Sequence, residues 1–266
     1  MHKYLLAIPF VFSSAAIAVE PCPFKKWDTY QGVSLLKEPG KGAYLFASTE
    51  VKVDADGAPN AYHPDDIGLN CKTGTGFKGL DCPANGGYPN SDWWRSAIAP
   101  DPKNNNKAYV QTKGDFKGFF VSRTSLVDKT KTDLDTTKYV DSRSVPYLVF
   151  PGKFYSKAGT GHLGDFGYAL NIQSGKASPF IVAEVGPPSA HLGEMSIFLG
   201  NALGGNNPNP RTGAGVPKGK TIYVVFPSSK NSPTWPVNTV EMDSKVALLL
   251  DGIGGVEQLK SCAEPL

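Results

Sequence analysis

Glycine and proline interrupt this chain so often that little room is left for long helices. The 266 residues include 29 glycines and 22 prolines, which separate short apolar runs such as SVPYLVFP, FGYALNI, PFIVAEV and TIYVVFP. Because these runs are rich in β-branched and aromatic residues and are bounded by turn formers, they indicate strands. We therefore predict a mainly β single domain, a closed or partly closed mixed β-barrel of about six strands with a few peripheral helices.

Other segments complete the expected order of elements. Strands are also predicted at GAYLFAS, EVKVDADG, AYVQT and KGFFVSRTSL, and residues 19–40 are expected to form a connector. Apolar spacing from Val240 to Lys260 predicts one or two terminal helices. Residues 57–107 are expected to form a long loop, and loops of that length in compact domains are usually functional or disordered.

The first residues, MHKYLLAIPFVFSSAAIA, combine a basic start, a short apolar centre and a small-residue ending. This pattern predicts a secretory signal peptide over residues 1–18, cleaved after Ala18, which leaves 19–266 as one exported domain. The apolar centre is shorter than the roughly 20 residues of a membrane helix, so we expect a secreted or periplasmic protein without membrane contact. Removing Lys3 from the 27 basic residues leaves 26 against 24 acidic ones. With no basic run interleaved with aromatic residues, nucleic-acid binding is not supported.

The chain has four cysteines, and an even number in an exported protein is typical of disulfides. Three pairings are possible. We favour Cys71 with Cys82, which would close the glycine-rich segment KTGTGFKGLD, and Cys22 with Cys262, which would tie the termini together. The alternative of free or metal-bound thiols has little support because no CxxC spacing occurs.

Residues 164–205 bring three carboxylates, Asp165, Glu184 and Glu194, to the boundaries of predicted elements. FGYALNI and PFIVAEV indicate a hairpin, and GEMSIFLGNALGG has the apolar spacing of a helix. Glu184 would then follow an apolar strand, where desolvation raises its pKa and suits a general acid. Glu194 would open a helix, whose dipole favours an ionised base. The opposite assignment stays open, as does an ordinary pair of solvent-exposed acids.

The strings FASTEVKVDADG, SRSVPYLVFPG, GDFGYALN, IVAEVGP and LGEMSIFLG resemble, in order and character, the fungal-type chitosanases of glycoside hydrolase family 75. The resemblance covers residues 43–227 and implies an inverting endo-hydrolase of chitosan with an Asp and a Glu as its catalytic pair. Carried over to this chain, the pair is Glu184 and Glu194. Glu184 departs from the family, which usually has Asp there, and the extra methylene moves the carboxyl by about 1.5 Å.

Asp54 and Asp56 in VDADG have three interpretations. The motif can be a turn, the commonest explanation of such a string. It can begin a calcium loop, which would need a distal ligand at the position of Asp65. Through the resemblance, the two side chains can also be cleft carboxylates that attract the ammonium groups of glucosamine.

Five further residues are candidates for substrate binding. Asp165 can instead be a turn residue, and Arg143 a surface ion-pair partner. His191 can instead be a loop or cap histidine. Trp93 and Trp94 are expected either to stack on sugar rings or to anchor a small core beneath the long loop.

We expect the domain to be a catalytic one: a secreted, endo-acting glycoside hydrolase of chitosan, a β-1,4-glucosamine polymer, that works as a monomer without a cofactor. No HExxH, GxSxG or His/Cys metal spacing occurs in the sequence, so metal and serine-nucleophile chemistry are not supported. Two alternatives stay open: hydrolysis of another amino-sugar polymer such as peptidoglycan, and a non-catalytic glycan-binding protein of the envelope. Because a polycationic substrate favours an acidic site, the negative potential of this nearly neutral chain must be local.

Overall fold

The computed structural model describes residues 21–263 and 266, so the predicted signal peptide, residues 1–18, lies outside the described residues. The strands are β1 (Lys25–Tyr30), β2 (Val33–Lys37), β3 (Tyr44–Ser48), β4 (Lys52–Asp54), β5 (Pro100–Asp101), β6 (Asn104–Ala108), β7 (Tyr147–Pro151), β8 (Phe166–Asn171), β9 (Ala177–Gly186), β10 (Glu194–Ser196) and β11 (Thr221–Phe226). The helices are α1 (Trp94–Ala97), α2 (Gly152–Tyr155), α3 (Ile197–Ala202), α4 (Thr239–Asp251) and α5 (Gly255–Ser261).

Nine strands form one open mixed sheet, in the order β1-β2-β3-β11-β8-β9-β7-β10-β4, and β5 and β6 form a separate ribbon. Neighbours in the large sheet are antiparallel except for two parallel pairs, β7 with β9 and β4 with β10. The prediction of a mainly β chain with a few helices is confirmed. The barrel of about six strands is wrong, because barrel closure depends on strand order and stagger, which short apolar runs do not encode.

Both faces of the large sheet are buried. In β11, Val224 and Phe226 face one core, and Tyr223 and Val225 face the other. Helices α4 and α5 pack into the first core, which we call the α4 core, while α2 and α3 pack into the second, the α3 core. A strand that is buried on both faces reads as a continuous apolar run rather than an alternating one. This explains the character of the strings that predicted β7, β9 and β11.

The predicted hairpin of residues 166–185 is confirmed, since β8 and β9 pair in antiparallel fashion, with Ala169 opposite Ser178. The expected connector at residues 19–40 is wrong, because β1 and β2 form a hairpin there. Its turn is made by Gln31 and Gly32, both with positive φ, at 46° and 82°. Positive φ at both central residues suits the twist of a two-residue hairpin.

The predicted strands at AYVQT and KGFFVSRTSL are also wrong in large part. β6 ends at Ala108. In the rest of these two predicted segments, the described backbone pairing consists of isolated bridges, such as Val110 with Phe120 and Ile98 with Ser122. These segments pack beneath the long loop and contribute to a small separate core. Their apolar residues are therefore explained by a satellite core rather than by the main sheet.

Both predicted disulfides are confirmed: Cys22 lies at bonding distance from Cys262, and Cys71 from Cys82. The terminal helices are confirmed as α4 and α5, and Asn238 caps α4 by accepting a hydrogen bond from Glu241 N at 2.8 Å. None of the helices in the described part of the chain has the length and apolarity that a membrane crossing requires.

Candidate active site

Glu184 owes its position to a bulge in β9. Leu148 of β7 pairs with Val182, but the next residue, Val149, pairs with Glu184, so Ala183 is an extra residue in β9. Because side chains alternate along a strand, Glu184 would face the α3 core with Val182 if β9 were regular. The bulge instead turns Glu184 to the side of the sheet on which Val149 lies.

A crossing segment stabilises the bulge. The carbonyl oxygen of Ala183 accepts a hydrogen bond from Leu126 N at 2.8 Å. The residue before, Ser125, donates to the Glu184 carboxyl from its backbone N–H, at 2.8 Å from Oε2, and from its hydroxyl, to Oε1. The same segment therefore fixes both the irregular backbone and the side chain that the irregularity redirects.

Glu194 reaches the same place from the other side of β7. Met195 pairs with Leu148 and the two strands are antiparallel, so Glu194 lies beside Val149. A Cβ atom added at Gly186 would be 3.1 Å from Val149 Cγ1 and 3.6 Å from Glu194 Oε2. Val149 is thus flanked by a glutamate on each side.

The prediction that Glu194 opens a helix is wrong, because it is the first residue of β10. The segment is a strand since it pairs in parallel with β4, with Glu194 beside Lys52. Helix α3 begins only at Ile197, and Ser196 caps it by accepting a hydrogen bond from Leu199 N at 3.1 Å. A lysine, rather than a helix dipole, is the positive group next to Glu194.

Both glutamates line a cavity of about 760 Å³. Three aspartates, Asp54, Asp56 and Asp81, line it as well, together with the cationic residues Lys52 and Arg211. The whole sequence has a formal net charge of only +3. Carboxyl groups are therefore concentrated in this cavity, and when ionised they focus a negative potential inside it.

The Glu184 carboxyl is buried and held by fixed donors. Burial raises its pKa to about 7, against hydrogen bonds from Ser125 and Val185 that lower it. Among the described residues, Oε1 accepts from the Ser125 hydroxyl and from Val185 N, the latter at 2.7 Å, whereas Oε2 accepts only from Ser125 N. When this carboxyl is protonated, the proton is therefore expected on Oε2, which has a lone pair left.

Different neighbouring groups act on the pKa of Glu194 and on that of Asp81. Burial also raises the pKa of Glu194, and Lys52 opposes that shift by favouring the ionised form. Burial raises the pKa of Asp81 to about 6, although Asn85 and Cys82 N donate to its Oδ1 at 2.8 and 2.7 Å. The cavity can therefore hold protonated and ionised carboxyls together near neutral pH.

Asp54 and Asp56 form a tyrosine-supported pair at the end of β4. Asp56 N donates to Asp54 Oδ1 at 2.9 Å, which is the turn that the VDADG string predicted. Tyr147 OH lies 3.0 Å from Asp54 Oδ2, and Tyr62 OH donates to Asp56 Oδ1 at 2.7 Å. Burial, followed by the neighbouring carboxylates, raises the pKa of both aspartates well above the usual range.

The residues around this turn do not assemble into a calcium loop. Asp65, which such a loop would need as its distal ligand, lies at the surface and pairs with Lys78. Within the described residues, no group of three or more His, Cys, Asp or Glu side chains could hold a metal ion. Gly57 has a φ of +77°, and a Cβ there would lie 2.1 Å from the Val140 carbonyl oxygen, so the glycine of the motif serves close backbone packing.

A scan against models of protein families finds none that matches this chain, and no curated protein matches it significantly.

The two neighbouring tryptophans separate in the structure. Trp93 lines the cavity and is 47% exposed, so its ring is accessible to a ligand. Trp94 is only 3% exposed and packs in the satellite core, with Tyr88 against its ring at a centroid distance of 5.0 Å. The sugar-stacking interpretation fits the position of Trp93, and the core-anchor interpretation fits that of Trp94.

Three other candidate residues lie outside the cavity lining. Asp165 is fully buried and accepts hydrogen bonds from His162 N at 2.7 Å and Lys230 N at 3.0 Å, so it organises two loops. Arg143 pairs with Asp141 at 2.7 Å. His191 is at the surface, with Nδ1 3.7 Å from a Glu50 oxygen. Their positions fit the turn, ion-pair and loop interpretations.

Three residues of the cavity lining escaped the sequence analysis, namely Lys52, Asp81 and Arg211. So did Ser125 and Tyr147, which lie outside the lining and hydrogen-bond to Glu184 and Asp54. Lys52 and Tyr147 occur inside strings that were assigned to strands, where their faces depend on pairing. Asp81 directly precedes a disulfide cysteine, which was the best available signal. Ser125 and Arg211 come from irregular segments, and nothing in the local sequence indicates what they contact.

Proposed function

We propose that the protein is an exported, endo-acting glycoside hydrolase that cleaves chitosan with inversion, using Glu184 and Glu194 as its acid/base pair. The observation that carries this proposal is the placement of the two glutamates on either side of Val149 in a carboxylate-lined cavity. Adjacent strands lie about 4.8 Å apart, and β7 lies between β9 and β10. The backbones that carry Glu184 and Glu194 are therefore about 9–10 Å apart. Inverting glycosidases hold their carboxyls about 6.5–9.5 Å apart, with a water between them.

The surroundings of the two carboxyls suggest their roles. Glu184, with its pKa raised to about 7 by burial and a free position on Oε2, is the general acid that protonates the departing glycosidic oxygen. Glu194, with the Lys52 ammonium favouring its ionised form, is the general base that takes a proton from the attacking water. This assignment agrees with the expectation from the sequence but replaces the helix dipole with a lysine.

Charge supports a cationic amino-sugar polymer as the substrate. The ammonium groups of glucosamine would meet Asp54, Asp56 and Asp81, whose ionisation they would in turn favour. The exposed ring of Trp93 offers a surface for the apolar face of a sugar. The two disulfides fit the oxidising compartment into which the predicted signal peptide would deliver the chain.

The test is to incubate the mature protein with chitosan, chitin and peptidoglycan in parallel and to measure reducing-end release. Release from chitosan, with the inverted anomer formed first by proton NMR, supports the proposal. Preferential release from peptidoglycan would indicate the alternative polymer. Binding to a glycan without release from any polymer would indicate a non-catalytic envelope protein, and a retained anomer would exclude the roles given to Glu184 and Glu194.

A further inference from the structure

Arg211 is an unexplained cation in a cavity whose charged lining residues are mostly carboxyls. It lines the same cavity as the two glutamates, and its Nε is buried and has no hydrogen-bond partner among the described residues. Its positive charge lies near enough to Asp81 to favour the ionised carboxylate, which partly offsets the rise in the Asp81 pKa that burial causes. Within the described part of the chain, however, no carboxylate forms an ion pair with it. Because Nε is enclosed by protein, the donors that Arg211 can offer a ligand in the cavity are those of its terminal nitrogens, Nη1 and Nη2.

The backbone presents Arg211 from a tightly bonded turn. Asn209 Oδ1 accepts hydrogen bonds from Arg211 N at 2.9 Å and Thr212 N at 3.2 Å. Gly213 N donates to the Asn209 carbonyl at 2.8 Å, and Asn206 N closes the base of the segment by donating to the Gly215 carbonyl at 2.7 Å. The residue is therefore held at the tip of a structured loop.

The side chain is fixed as well, because the guanidinium lies over the ring of Phe77, 3.8 Å from its centroid. The segment that follows Phe77 is anchored by the buried carboxylate of Asp66, to which Lys78 N and Gly79 N donate at 3.0 and 2.8 Å. The disulfide of Cys82 closes the same loop. A stacked and anchored guanidinium loses less freedom when it donates hydrogen bonds, which favours specific recognition.

The charges around Arg211 narrow the chemistry of what it can bind. Its own positive charge disfavours a glucosamine ammonium group at this point. The carboxyls that share the cavity, Asp81 and Glu194 among them, disfavour an anionic substituent. A neutral acceptor satisfies both conditions, and among the substituents of an amino-sugar polymer that acceptor is the carbonyl oxygen of an acetamido group.

We propose that Arg211 forms a subsite for an N-acetylglucosamine residue, donating hydrogen bonds to its acetamido carbonyl, so that the enzyme prefers partially acetylated chitosan. This inference rests on the proposed function, whose catalytic pair it leaves unchanged. It makes Arg211 a determinant of specificity rather than a catalytic residue.

The test compares partially acetylated with fully deacetylated chitosan as substrates and identifies the sugars next to each cleaved bond by mass spectrometry. The wild-type protein should show N-acetylglucosamine enriched at one fixed position relative to the cleaved bond. Arg211→Leu leaves an apolar side chain at this position and removes every donor. It should abolish that enrichment and lower the rate on partially acetylated chitosan relative to deacetylated chitosan by at least about tenfold.

Lys218→Gln is the matched control, because it removes a positive charge from an exposed position of the same long loop, outside the cavity. It should leave the acetyl pattern unchanged. A random acetyl pattern in the wild-type products would overturn the inference. So would an Arg211→Leu variant that slows both polymers equally while keeping the wild-type pattern, since Arg211 would then only support the fold.

The failure of the proposed function is distinguishable from the failure of this inference. If the wild-type protein hydrolyses neither chitosan, the proposal that it is a chitosan hydrolase fails. Calorimetric titration with chitin and chitosan oligomers then decides whether the subsite exists. Tighter binding of the acetylated oligomer, weakened by Arg211→Leu, would support it, and equal binding of both oligomers would overturn it.

Discussion

Glu184 and Glu194 lie on opposite sides of one residue, Val149, although they belong to different strands. A rigid β7 between them fixes the distance from one carboxyl-bearing backbone to the other. Catalytic groups placed on strands are held more precisely than groups placed on loops. Changes to the length or charge of either side chain should therefore alter turnover.

Replacing either acid by its amide should abolish acid–base catalysis while keeping the shape of the site. Glu184→Gln and Glu194→Gln are each expected to lower turnover on chitosan by at least about 10²-fold. Thermal unfolding should show that both variants remain folded. Glu257→Gln, at a surface position paired with Lys260, is the control and should keep full activity. Near-wild-type turnover in either cavity variant would exclude that residue from catalysis.

Glu184→Asp tests whether the site is built around the longer side chain. Shortening the residue draws the carboxyl back by about 1.5 Å, away from the Ser125 and Val185 donors that now fix it. We therefore expect turnover to fall. A variant more active on chitosan than the wild type would contradict this expectation and would indicate that the site suits the shorter side chain.

Stability should decrease as the pH rises toward neutrality. Burial raises the pKa of Glu184 from 4.5 to about 7 and that of Asp81 from 3.8 to about 6. The folded protein therefore binds protons that the unfolded chain releases, so the stabilisation is complete below the unfolded values and is lost as pH rises through the folded ones. Urea unfolding measured from about pH 4 to 8 should show this decline. Glu184→Gln should make it shallower, and an increase in stability across this range would contradict the assignment.

Tyr147 links the sheet to the aspartate pair, so its hydroxyl should affect both stability and turnover. Tyr147→Phe removes the group that lies 3.0 Å from both Asp54 Oδ2 and the Asp56 carbonyl oxygen. Leaving buried acceptors unpaired costs about 1–3 kcal/mol. Tyr44→Phe removes a buried hydrogen bond to the Thr160 carbonyl, away from the cavity. It should lower the free energy of unfolding to a similar extent without changing turnover, whereas Tyr147→Phe should lower both.

The two disulfides should have different consequences when removed. Cys22–Cys262 joins residues 240 apart and Cys71–Cys82 residues 11 apart. On the chain-entropy account the first contributes about 5 kcal/mol and the second about 3 kcal/mol. Replacing the first pair by serine should therefore destabilise the protein more in urea unfolding. Replacing the second should affect the cavity more, because the loop that it closes carries both Phe77 and Asp81. An equal effect of the two replacements on activity would contradict this division.

The sequence predicted the strands that are buried on both faces, because their apolar runs are long and bounded by turns. It also paired the cysteines correctly. It could not predict the side of the sheet on which Glu184 lies, since the extra residue at Ala183 is visible only against the register of β7. The Gln31–Gly32 turn did carry a hairpin signal, but the surrounding residues are too polar to read as strands.

The residues of the cavity likewise divide into those that local sequence predicts and those that only long-range packing brings together. Local sequence patterns singled out Glu184 and Glu194 at the boundaries of predicted elements, and Asp54 and Asp56 in the VDADG string, and all four line the cavity. Arg211 lines the cavity and Ser125 hydrogen-bonds to Glu184, and both come from distant segments of the chain that tertiary packing brings there. The open sheet in place of a barrel has the same cause, because strand order is a property of long-range pairing.

The link between Cys22 and Cys262 makes residues 22 to 262 a covalent ring. A ring that is cut once remains one molecule. A protease that nicks an exposed turn, such as the one around Gly213, would therefore leave both fragments attached, and the strands on either side of the cut could keep their places in the sheet. Such a chain can be cut once by a protease and still carry both glutamates on the same scaffold.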